Sequence, residues 1–223
     1  MSLAYTWSKS LNNFDTETSD LRVPFNAALD KGNANFDRRQ VFAMSYVYAL
    51  PFFEKEHGTL ANVLGGWQVS GVVALQTGLF TSISGGSRAS TSPSNGYGTN
   101  VDLVGDWRAV PGGQTTTPLF DASGNYVSGG WINRAAFAPR TGLIGTVPRN
   151  LIEMPGTQNF NLSLMKKIQL SEKFRLQLRG EVFNLFNHPN FRTLVTNLSA
   201  SNFGALTQTD DPRVLQFGLK VLF

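Results

Sequence analysis

Histidine is the side chain most often used for proton transfer near neutral pH, and this chain has two, His57 and His188. They fall in a predicted turn and at a predicted strand–loop junction, 131 positions apart, and no sequence motif builds a triad or a ligand set on either. There is no cysteine, which removes thiol catalysis, disulfides and cysteine-held zinc or iron–sulfur sites. Arg179 and Glu181 offer a cation and an acid two residues apart, a pair that on a strand usually balances its own charge. The glycines of "GGWQVSG" are followed by no helix that would complete a phosphate loop, and Asp121 and Asn125 of "FDASGNY" lack the acidic spacing of a calcium loop. The expectation is a protein with no enzymatic site, no metal and no cofactor. Binding chemistry is left to aromatic residues: Tyr97, Trp107, Tyr126 and Trp131 stand among polar neighbours in one long loop region. They suit either a ligand surface or a small core at the loop base.

Such residues need elements to hold them, and composition limits which. Hydrophobic residues make up 41% and charged residues 15% of the 223, against about 25% charged in soluble domains. The net charge of +4 comes from scattered Lys and Arg, with Arg38-Arg39 and Lys166-Lys167 as adjacent pairs. A nucleic-acid partner is not expected, since that would need a basic stripe. No apolar run approaches the roughly 18 to 20 residues of a membrane-spanning helix, and "SLAYTWSKS" after Met1 has neither a basic leader nor an apolar signal core.

Period-two alternation, by contrast, recurs along the chain, so the predicted class is all-β. Leu3, Tyr5 and Trp7 share one parity. So do Phe42, Met44, Tyr46, Tyr48 and Leu50; Trp67, Val69, Gly71, Val73 and Leu75; and Phe160, Leu162, Leu164, Ile168 and Leu170, where Lys166 is the exception. In "FRLQLRGEVF", Phe174, Leu176, Leu178, Gly180 and Val182 oppose Arg175, Gln177, Arg179 and Glu181. The chain ends in "RVLQFGLKVLF", where Leu215, Phe217, Leu219, Val221 and Phe223 alternate with Gln216, Gly218 and Lys220.

Connection lengths separate two solvents for these strands. A soluble sandwich turns its apolar face to a second sheet; as a ligand- or carbohydrate-binding module it remains the alternative here. The predicted connections, about residues 10–36, 51–66, 85–157, 171–173 and 188–212, alternate long and short, as in transmembrane barrels with long extracellular loops and short periplasmic turns. The stretch from Gly85 to Gly156 holds 13 of the 22 glycines and 6 of the 10 prolines, which argues against regular core there. The prediction is therefore one domain, 1–223, of antiparallel up-and-down strands forming about six strands of a large transmembrane β-barrel. Odd strands run outward and even strands inward. Arg175, Gln177, Arg179 and Glu181 would face the lumen, and the other parity would face outer-membrane lipid. Tyr5, Trp7, Tyr46, Tyr48, Trp67 and Phe174 would supply interfacial girdles, with Lys166 snorkelling near the periplasmic rim.

Five stretches in order, "YTWSKSLNN", "SYVYALPF", "LGGWQVSG", "WINRAAF" and "EVFNLFNHPNF", followed by a terminal Phe, resemble the C-terminal barrel portion of TonB-dependent outer-membrane receptors, in particular the Oar-like group with a carboxypeptidase-regulatory-like domain. The resemblance runs from Tyr5 to Phe223 and is weakest between about Ser87 and Asp121. It implies a barrel of about 22 strands with a plugged lumen and energy-coupled nutrient uptake. It also implies that the barrel-assembly machinery reads the final strand, Leu215, Phe217, Leu219, Val221 and Phe223. Arg134 departs from the proline expected in "WINRAAF". Plug domain, energy-coupling segment and most strands are absent from these residues, so the expected partners, beyond lipid and the assembly machinery, are the remaining strands, a plug and, through it, the TonB complex. An open six-stranded sheet would leave two bare edges in lipid, at a cost on the order of tens of kcal/mol.

Overall fold

A computed structural model describes residues 1–13, 26–51, 65–85, 101–140, 145–171 and 174–223; His57 and Tyr97 lie outside them. Six long strands dominate: β1 (Ser2–Trp7), β2 (Gln40–Ala49), β3 (Trp67–Gln76), β4 (Thr157–Gln169), β5 (Arg175–Phe183) and β6 (Val214–Leu222). They form one antiparallel sheet in the order β1-β2-β3-β4-β5-β6, each strand beside its predecessor among the long strands. This is the up-and-down arrangement that the alternating connection lengths predict. Residues 8–39, 77–156 and 184–213 connect strands at one end of the sheet, and 50–66 and 170–174 at the other.

Residues directly opposite in an antiparallel pair share a face, so the register carries the parity from strand to strand. Tyr5 lies opposite Phe42, and Phe42 opposite Leu75; Met44 faces Val73, which faces Phe160. Leu162 faces Val182, which faces Leu215, and Leu164, Gly180 and Phe217 form the next row. Five interstrand registers thus merge the six apolar parities into one continuous apolar face. The opposite face carries Ser45, Ser70, Asn161, Ser163, Lys167, Gln177, Arg179 and Lys220, interrupted by Val41, Val47, Val72, Met165, Phe183, Val214 and Leu222.

Among the described residues the buried apolar side chains all lie outside the six long strands. They collect in a lobe at the end where the long connections meet: Ile83, Val101, Trp107, Ile132, Phe137, Val147, Ile152, Leu194, Phe203 and Leu206 pack as one cluster. This corrects the expectation that the glycine- and proline-rich stretch lacks regular core. It is built of short strand pairs, Val101–Leu103 with Phe137–Pro139 and Pro118–Phe120 with Tyr126–Gly129, while Ile152–Glu153 pairs with Phe80–Thr81. Its glycines at 112, 113, 124, 129 and 130 take positive φ in the turns between them, so they permit the reversals that bring the apolar residues together.

Asparagines tie the lobe to the sheet. The Asn150 amide donates to Asn33 O (2.7 Å) and its Oδ1 accepts from Ser82 Oγ (2.8 Å), which joins the first long connection to both ends of the second. In "NLFNHPN", Asn184 and Asn187 sit at φ 50 and 52, a region that asparagine tolerates better than most residues. Buried Asn190 accepts from Gln158 N (2.8 Å) and donates to Gln158 O (3.0 Å), satisfying the backbone at the outer end of β4. Asn133 caps the short 3-10 turn Arg134–Ala136 by accepting from Ala135 N (3.0 Å). Arg134 thus occupies the first position of the turn, where proline also fits, and its guanidinium lies over Phe203 (5.5 Å).

Candidate functional site: the two-faced wall and its rim cleft

The sheet's apolar face has no covering sheet among the described residues. Leu3, Tyr5, Trp7, Tyr48, Leu164, Leu178, Leu215, Phe217, Leu219 and Val221 are all exposed large hydrophobics, with Phe217 at 81% and Phe223 at 97%. A contiguous apolar surface of this extent marks a contact with another apolar phase. A strand of 10 residues such as β2 is about 34 Å long, which at a barrel's tilt matches an apolar band roughly 25 Å tall.

The predicted polar parity is grouped by the structure. Arg175, Gln177, Arg179 and Glu181 lie on the face opposite the apolar one; Gln177 stands between Lys167 and Lys220. Arg179 Nη1 approaches Glu181 Oε1 at 3.7 Å, with the Arg side chain half exposed, a pairing worth little in water. Among the described residues Lys166 is the one cation of the six strands on the apolar side. It pairs with Trp67 at the end of β3 bearing the short connections, as the rim placement requires. It does not snorkel to water, however: it is 4% exposed, its Nζ donates to Gly65 O (2.6 Å) and sits 4.9 Å from the Trp67 ring centre. Burial is tolerated because a carbonyl and an aromatic face receive the ammonium.

Of the four loop aromatics, three are described. Trp107 is buried in the lobe with Arg108 stacked on its ring at 4.0 Å. The Trp131 Nε1 donates to Glu153 O (2.8 Å). Tyr126 stands apart from both, its hydroxyl donating to Gly129 O (2.9 Å) and its ring edge-on to Phe120; burial raises its phenol pKa above the usual value. Nearby, the Asn125 amide beside Asp121 holds that exposed carboxyl below the usual range, with the Ser123 and Asn125 backbone N–H groups also donating to it. This is a self-satisfied turn.

Trp107 and Trp131 line a cleft of about 1020 Å³ between lobe and sheet. Its lobe wall adds Arg108, Gln114, Thr115 and Phe191, and its sheet wall Tyr5, Phe42, Leu75 and Phe160. His188 also borders it, with its Nδ1 3.0 Å from Asn190 Oδ1. Sequence reasoning missed this cleft, because residues from Tyr5 to Leu206 meet there only through the sheet order.

A two-faced antiparallel sheet with its long loops at one end is the arrangement of a transmembrane barrel wall. The outer membrane beta barrel domain family matches residues 1–216. The chain belongs to that family. No curated protein and no solved structure matches it. As an outer membrane barrel domain, the six strands are wall: their apolar face meets lipid, and their polar face lines the interior. The lipid phase replaces the second sheet that a soluble sandwich would need. The lobe is then on the extracellular side, where barrels of this kind carry their long loops. No helix of the described residues is long and apolar enough to cross a membrane, and in this family strands do the crossing.

Proposed function

We propose that this outer membrane barrel domain is the C-terminal portion of a TonB-dependent receptor, contributing barrel wall and extracellular surface to energy-coupled nutrient uptake. The observation that carries the reading is the ordered set "YTWSKSLNN", "SYVYALPF", "LGGWQVSG", "WINRAAF" and "EVFNLFNHPNF", closed by Phe223. The partners on this reading are outer-membrane lipid, the barrel-assembly machinery, further barrel strands, a plug within the lumen and, through the plug, the TonB complex. The wall itself is non-catalytic; Arg175, Gln177, Arg179 and Glu181 serve as its wet lining. The test is site-specific crosslinking in living cells between the complete protein and the inner-membrane energy-transducing protein. A crosslinked species that increases when the transported nutrient is limiting supports the reading. A correctly inserted barrel that never forms one leaves the wall and removes the transport role.

A further inference from the structure

The cleft under the lobe is the natural place to seek a bound molecule, and the register shows which side of the wall it opens on. Tyr5 lies opposite Phe42 and Phe42 opposite Leu75 in one row of the apolar face, and Phe160 lies in the next row on that same face. All four line the cleft. The cleft is therefore continuous with the surface that meets lipid, and residues of the opposite parity, Gln76 and Thr157, reach it only at the rim where the strands end.

We infer that the cleft is a binding site for an outer-leaflet lipid, with acyl chain against the sheet and headgroup under the lobe. Height and chemistry agree. Gln40, Gln76 and Thr157, which also border the cleft, are the outer ends of β2, β3 and β4, so the site lies at the extracellular limit of the apolar band. The apolar wall of Tyr5, Phe42, Leu75 and Phe160 suits hydrocarbon. The opposite wall brings Trp107 and Trp131, indoles of the kind enriched where hydrocarbon gives way to headgroups, together with hydrogen-bonding Gln114 and Thr115. The charged neighbours are Arg108, exposed and stacked on Trp107, and Glu153, with His188 between lobe and sheet. Arg108 is the donor for a headgroup phosphate. A volume of about 1020 Å³ is at the large end of ligand sites and accommodates part of a chain and a headgroup together.

Tryptophan fluorescence reads the occupant directly. The complete protein with every tryptophan other than Trp107 and Trp131 replaced by phenylalanine, Trp7 and Trp67 among them, keeps those two indoles at the cleft as its reporters. It is reconstituted into phosphatidylglycerol–phosphatidylethanolamine vesicles whose acyl chains are brominated near the glycerol. The expected result is at least twofold quenching relative to unbrominated vesicles, cut by half or more when Gln158→Phe fills the cleft. Gln158 suits this change because its side chain is exposed while its backbone bonds go to Asn190. Heat-modifiable migration on a gel shows that each variant is folded and inserted. Insertion without bromine quenching, or quenching that Gln158→Phe leaves unchanged, overturns the lipid site. The inference rests on the barrel's lipid-facing side and not on nutrient transport, so either reading fails by itself: loss of energy coupling leaves the quenching intact, and loss of quenching leaves the coupling.

Discussion

Gly78 borders the cleft at a point where no side chain fits: a Cβ there would stand 1.6 Å from Met154 O. Gly78→Ala must separate the two backbones that bring the lobe onto the sheet. The expected loss is about 2–3 kcal/mol in urea unfolding from lipid vesicles, with wild-type-like insertion into the membrane. At Asp121 the prediction concerns pH. Its carboxyl titrates lower in the folded turn than in the unfolded chain, so the turn's stabilisation is present above the unfolded value and is lost as pH falls through the lowered folded one. Asn125→Ala removes the main cause and should bring the Asp121 titration, followed by NMR of the side-chain carboxyl carbon, back toward the ordinary carboxylate range. The sequence places Trp107 and Trp131 correctly in one loop region but does not say which way they turn. Trp107 is sealed into the lobe by residues up to about a hundred positions away, such as Phe203 and Leu206, and no local pattern encodes that distance.

At the scale of single strands the alternation is decisive, since one residue's shift moves a side chain from lipid to interior. β3 offers a direct comparison, because Val72 and Val73 are the same residue on opposite faces near the strand's middle. Val73→Arg should cost about 2–4 kcal/mol in reversible folding into bilayers. Val72→Arg should come out near zero, because the polar face is wet. Equal costs at the two positions would refute the assigned faces. The outer end of β4 depends instead on Asn190, whose side chain bonds both backbone groups of Gln158. Asn190→Ala leaves a buried donor and acceptor unmatched, and should destabilise the protein by about 1–3 kcal/mol while opening the His188 segment to hydrogen exchange. The six strands and their parity were legible because a period of two is local. The short strands of the lobe were not, because three or four residues cannot show a period and their pairing is set by partners far away in sequence.

For the molecule as a whole, β1 and β6 are the two ends of an open strand order, each with one unpaired edge among the described residues. Bare backbone groups in hydrocarbon cost several kcal/mol each, which on the proposed reading is met by pairing both edges with further barrel strands. On the proposed reading β6 is the strand that the assembly machinery recognises, with apolar Leu215, Phe217, Leu219 and Val221 on one face and Phe223 just beyond it. Removing Phe223 from the complete protein should lower the inserted fraction, measured as heat-modifiable species in outer-membrane extracts, without changing the unfolding midpoint of what does insert. An unchanged inserted fraction would show that assembly is read elsewhere. By itself the sequence determined the all-β class, the six wall strands, their two faces and the end at which the long loops meet, because alternation and connection length are properties of neighbouring residues. Only the tertiary structure decided that the glycine-rich loops hold the packed core, that Lys166 is capped by Gly65 O, and that a cleft forms between the lobe and the rim of the sheet. Each of those depends on which distant segments the strand order brings together, and burial, unlike alternation, is a property of the whole packing.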